Sequence, residues 1–366
     1  MNRMAFSLPS RIIAGYTARL FLMRVFAFLV ALTVILQTLD LLTESSKILA
    51  VPGNGNAELW HYVTLRIPQL INQFLPFSVL LGTLVTLATL NQNSEIVIFK
   101  ASGISAHQIL APLIAAAFGI AALHFLFSET LLVNTNRQLA AWERVDYGVI
   151  PPDTPVGREA WVREGGRLFH AQTVTGLGAK TLLRDLTAYD RTGGKLKEIV
   201  RAETARPTAD GWRLENVRRF DVARGVQERL PTLDVKSDIE AARFTATSVD
   251  PEQTPFWELR DAIREVSAAG RPVDTLIAGL HHKISGPLSA VLMPLLGAVA
   301  AFGLARSGKL FVRAVVGMGL GFAYFIADNF MLAMGQFGAA PPVLAAWAPF
   351  LLFFLVGEAV LFRTEE

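Results

Sequence analysis

"NQNSEIVIFKASGIS", Asn91 to Ser105, places a glutamate, a lysine and a glycine between two long apolar runs. A short polar break with apolar residues inside it reads as a small amphipathic helix joining two membrane spans. Ser94 is a candidate N-cap, Glu95 complements the positive end of the helix dipole, Ile98 and Phe99 offer apolar knobs, and Gly103 can end the helix. A solvated interfacial connector, with Glu95 serving only the dipole, fits the same residues.

The runs on either side set the class of protein. Of 366 residues, 52% are hydrophobic and only 18% charged, with mean hydropathy +0.40, which is richer in apolar residues than an ordinary soluble chain. Charge gathers in the middle, roughly Glu143 to Arg271, so two membrane blocks flank a soluble domain. A bilayer core needs about twenty apolar residues per helix. That length yields six spans: Leu20 to Leu42, His61 to Leu90, Ile109 to Val133, Leu276 to Leu304, Phe311 to Met334 and Val343 to Phe362. Pro68 and Pro76 are expected kinks in the second, and the turn "GQFGAAPP" separates the last two.

Arg3, Arg11, Arg19 and Arg24 precede the first span, Lys100 follows the second, and Arg306, Lys309 and Arg313 lie between the fourth and fifth. The excess of positive charge on the cytoplasmic side then puts both termini in the cytoplasm and the middle domain across the membrane. The first apolar run is longer than a signal peptide's and lacks a clear small-x-small cleavage site, so it reads as a retained span. The chain has no cysteine, which removes disulfides, thiol nucleophiles and thiolate metal sites.

The middle domain reads as β. "AWVREGGRLFHAQTV", "LLRDLTAYD", "KLKEIVRAETARPT" and "WRLENVRRFDV" alternate apolar with polar residues, and Gly165-Gly166, Gly193-Gly194 and Asp210-Gly211 punctuate them as hairpin turns. A small antiparallel sandwich or open barrel is expected. Beyond it, Thr254 and Pro255 open a helical run with Phe256, Leu259, Ile263 and Val266 on one face, ended by Gly270 and Pro272, which reads as an interfacial elbow helix.

Three motifs fail on chemistry. "GLARSGKL", Gly303 to Leu310, matches a phosphate loop's GxxxxGK, but Leu310 stands where a hydroxyl should hold Mg²⁺ and the loop follows a membrane helix instead of a strand. "GISAH", Gly103 to His107, is half a nucleophile elbow with no preceding strand. Neighbouring His281 and His282 point about 100° apart on a helix and cannot share a metal as an i,i+4 pair would. Polar groups within spans are the remaining candidates. Asp40, His124 and Glu129 lie towards the outer side, and Asp328 lies within "YFIADNF". Ionisable groups at that depth mark function or an interior pair. Asp40 and Glu129 read as satisfied carboxyls near the interface; Asp328 stays open between functional group or subunit contact and satisfied interior acid.

The order of "LQTLDLL", "PQLINQFLPFSVLLGTLVTLATLNQNSE", "IVIFKASGIS", a β domain, "LHHKISGPLSAVLMPLL" and "YFIADNF" closely resembles the LptF/LptG family of lipopolysaccharide-export permeases over essentially the whole chain. "LDLL" and "YFIADNF" lean towards its LptG branch. The resemblance implies a membrane α-helical protein of six transmembrane helices, with a periplasmic all-β, jellyroll-like domain between helices 3 and 4. The segments are then 1–140 with a cytoplasmic coupling helix at 94–102, a β domain at 141–255, and an elbow helix with spans four to six at 256–366.

It further implies a bacterial inner-membrane transport subunit, not an enzyme, with no catalytic residue and no cofactor or metal of its own. ATP and Mg would be bound by an LptB-type ATPase dimer. The other implied partners are a second permease of LptF type, LptC and through it LptA, and lipopolysaccharide; nucleic acid is not among them. The family's ATPase-engaging acid falls on Glu95, with Ser94, Ile98 and Phe99 around it. LptG-type proteins place basic residues near the outer end of the first helix, but Gln37, Thr43 and Glu44 stand there in this chain. Lys47, Arg137 and Arg144 are left as the anion contacts. Two other classes fit the bare architecture: an ion-coupled secondary transporter using Glu129 or Asp328, and a non-transporting envelope scaffold.

Overall fold

The computed structural model describes residues 10–149, 155–175, 181–191, 195–208, 211–237, 239, 244, 249–268, 272–303 and 310–363. Most of the phosphate-loop look-alike, with Arg306 and Lys309, lies outside them, as do Arg3, Gly193, Gly194, Asp210 and Gly270. The chain divides into two compact units, Met1–Gly148 with Ile277–Glu366, and Val149–Leu276.

The first unit is helical. It holds α1 (Arg11–Ala50), α2 (Asn56–Gln92), the short α3 (Glu95–Ala101) and α4 (Ala106–Phe127). A π-helical turn, Ser128–Leu132, carries α4 into α5 (Val133–Glu143) without a break. Past the β domain and α6 (Phe256–Ala268) come α7 (Asp274–Gly303), α8 (Leu310–Gln336) and α9 (Pro342–Arg363). Six of these helical stretches are long and apolar enough to cross a membrane. At 40 residues, α1 extends about 60 Å, roughly twice the hydrocarbon thickness, so its ends project beyond the lipid core.

Phe21 and Val25 of α1, Leu80, Leu84 and Leu87 of α2, Leu110 and Leu113 of α4, Leu292 and Leu296 of α7 and Tyr324 of α8 build one buried cluster. Gly82 lets α1 and α2 meet closely: a Cβ there would stand 2.6 Å from Val25 Cγ2 and 3.0 Å from the Val25 backbone nitrogen. Small residues at such contacts are how helices pack where lipid supplies no hydrophobic drive.

The second unit contains the expected all-β domain. Its strands are β1 (Pro155–Glu164), β2 (Arg167–Thr175), β3 (Leu182–Asp190), β4 (Glu198–Thr208), β5 (Gly211–Asp221) and β6 (Val226–Lys236). They form one antiparallel sheet in chain order, an up-and-down meander among the described residues. Glu164 pairs with Arg167 across the Gly165-Gly166 turn, where Gly165 takes φ +56°. Phe169, Val174, Leu183, Leu186, Trp212, Leu214 and Phe244 bury one face, and Trp212 Nε1 donates to the Ile239 carbonyl at 3.0 Å. Asp185 and Asn216, at φ 50° and 53°, interrupt the alternation of β3 and β5. In α6, Leu259 and Val266 are buried on one face while Trp257 is exposed.

Candidate functional site

Between α2 and α4 the chain makes two tight turns around α3. Gly103, at φ +83°, closes its end, with Ile104 N donating to the Phe99 carbonyl at 3.0 Å. The start differs from expectation. Ser94 does not cap the helix: it sits at φ 60°, ψ 11°, a left-handed geometry from which its hydroxyl makes no capping bond. Glu95 is half-buried, and its Oε1 accepts from Tyr16 Oη of α1 at 3.3 Å and from Asn93 Nδ2 at 3.2 Å. Ile98 is exposed, but Phe99 turns inward and packs on the bundle core; Val97 takes the second exposed apolar position. Just beyond, His107 of α4 lies 3.3 Å from Glu358 of α9.

At the opposite end of α1 and α2 lies a polar network. Asp40 receives both Arg66 Nε and Nη2 at 3.1 Å, a bidentate pair, and the Tyr62 hydroxyl at 2.6 Å. Arg66 also donates to Gln69, whose amide reaches Asn136 of α5 at 2.8 Å. Glu44 takes Lys47 at 2.8 Å and Tyr147 at 2.9 Å, so Lys47 is exposed but already paired. Burial first, then donation to Glu44, pushes the Tyr147 phenol above its usual range and keeps it a donor. Arg137 and Arg144 are both exposed.

A third set lies within the bundle. Lys283 of α7 meets Glu129 of the π turn at 2.8 Å, with 12% and 14% of the side chains exposed. His124 and Ser128 share Asn72 Oδ1 of α2, at 2.8 and 3.1 Å. His281 and His282 part as their helical spacing requires: Trp347 Nε1 donates to His281 Nδ1 at 3.3 Å, while His282 Nδ1 lies 4.0 Å from Asp328.

The sequence family described as "Lipopolysaccharide export system permease LptF/LptG" matches residues 15–363, nearly the whole of this chain. The chain belongs to the LptF/LptG family. Among its relatives, the lipopolysaccharide export system permease protein LptG of Escherichia coli K12 is 26% identical over 348 residues, covering 90% of this chain and 95% of the relative. The LptG protein of Haemophilus influenzae is 25% identical over 325 residues, 86% of this chain and 89% of the relative. This LptF/LptG member is thus a multi-pass membrane protein, and the permease names of its relatives describe a transport role.

Two cations central to these networks, Arg66 and Lys283, did not stand out in the sequence. Each lies inside a stretch that reads as a span, where the acids drew attention. The signal was present: an acid at membrane depth calls for a cation on a neighbouring helix, and few spans offer one.

Proposed function

We propose that this chain is the LptG-like permease subunit of an inner-membrane ABC exporter that extracts lipopolysaccharide and delivers it to a periplasmic bridge. An LptB-type ATPase dimer supplies ATP and Mg, a second permease of LptF type completes the transmembrane pathway, and LptC passes the lipid towards LptA. Both termini and α3 face the cytoplasm, and the β domain faces the periplasm.

The observation that carries this reading is α3 itself. A two-turn helix between spans two and three presents an acid at its start and two exposed apolar side chains, Val97 and Ile98, beside it. That arrangement suits a groove on a soluble motor: the apolar pair docks, and Glu95 meets a cation. ATP-driven closure of the motor then levers α3 and the spans joined to it. At the opposite end, Lys47, Arg137 and Arg144 meet the lipid's phosphates, Lys47 by exchanging Glu44 for phosphate oxygens.

The test is Glu95→Arg in proteoliposomes holding both permeases and the ATPase. Export should fall at least tenfold with the permease pair still folded. Unchanged ATPase binding together with unchanged lipid release removes the coupling role. The ion-coupled alternative has less support, because Glu129 is engaged by Lys283. It expects export that persists without the ATPase and collapses with a protonophore.

A further inference from the structure

The Glu95 carboxylate is held by a residue far away in sequence. Tyr16, 79 positions earlier, lies in the second turn of α1 and reaches Glu95 Oε1 with its hydroxyl, while Asn93 bonds the same oxygen from the preceding turn. Among the described residues Oε2 keeps no hydrogen-bond partner, so one oxygen is tethered and the other is open to an incoming cation.

We propose that Tyr16 is a positioning residue: it aims Glu95 for the motor and makes docking on α3 felt by the first membrane span. The inference rests on the coupling reading of Glu95. A glutamate side chain at a helix start samples several rotamers, and fixing it in advance lowers the entropy lost when a partner binds. Asn93, on the chain segment leading into α3, moves with that helix; Tyr16 belongs to a different one. The bond from Tyr16 is therefore the one that links the carboxylate to another element. α1 is continuous for 40 residues, and Arg24, two turns further along, donates to the Val85 carbonyl of α2 at 2.8 Å. A displacement of Glu95 that strains or releases the Tyr16 bond acts on a rod whose far end carries Asp40 and Glu44.

A double-mutant cycle of Tyr16→Phe and Glu95→Ala in the reconstituted full complex tests this, reading ATPase affinity and lipid released per ATP hydrolysed. Tyr16→Phe keeps the ring and removes only the hydroxyl, at a position 46% exposed, so the melting temperature should not change. Alone it should lower both readouts about three- to tenfold, the worth of one partly exposed hydrogen bond to a charge. In the Glu95→Ala background it should do nothing more. If Glu95→Ala uncouples but Tyr16→Phe is silent, or if the two effects add, the positioning role is wrong and the coupling role of Glu95 stands. If Glu95→Ala leaves both readouts unchanged, the coupling reading fails and this inference goes with it.

Discussion

Lys283 and Glu129 show how much one atom pair can matter inside a bilayer. With both side chains largely buried, removing the amine takes away the counter-charge 2.8 Å from the carboxylate, and breaking a buried pair costs about 3–5 kcal/mol in protein interiors. Lys283→Met should therefore lower the thermal stability of the purified chain markedly, and Glu129→Leu added to it should restore part of the loss. A Lys283→Met protein that melts like the parent means the pair holds nothing. The acids of these pairs were legible in the sequence because a lone carboxylate in an apolar run is conspicuous. Their partners were not: which cation faces Asp40 or Glu129 depends on helix pairing, and linear order does not contain it. Ser94 departs from the expected cap for a related reason. Its residue type suits a cap, but the tight turn out of α2 sets its backbone to the left-handed region before its hydroxyl can act.

For the helices and strands, length and turn residues carried the reading. A bilayer asks for a minimum run of apolar residues, so the six spans can be counted without knowing their neighbours. The π turn at Ser128–Leu132 could not be seen, since one widened turn leaves no mark on hydropathy. Nor could the α1–α2 contact, which depends on a glycine that composition treats as neutral. Gly82→Val places its branched side chain against Val25, whose backbone cannot yield, and should destabilise the chain by about 1–3 kcal/mol while loosening the hydrogen bond from Arg24 to Val85. Gly119→Ala is the control, having nothing within 4 Å of its added carbon. Faster amide exchange in α1 and α2 for the first variant alone is the expected signature; equal exchange in both removes close packing as the cause.

On the scale of the whole molecule, two units with separate cores should respond separately to solvent. In the β unit, Arg213 and Asp234 face each other across β5 and β6, and the guanidinium's hydrogen bonds hold the Asp234 carboxyl below its usual range. The pair's contribution is complete above the ordinary aspartate pKa of about 3.9 and fades as pH falls through the depressed value. Asp234→Asn should hence raise amide exchange along β5 and β6 of the full chain at pH 7, with the difference closing in strong acid. A difference of the same size at both pH values would assign the effect to something other than charge. The buried pair of the helical unit bears on how the protein is made. Glu129 leaves the ribosome 154 residues before Lys283, with the whole β domain synthesised in the interval. A lysine within a span is costly, and here its counter-charge has already been synthesised when the fourth span arrives. The acid that neutralises the fourth span's lysine is thus made before that span is, in the same chain.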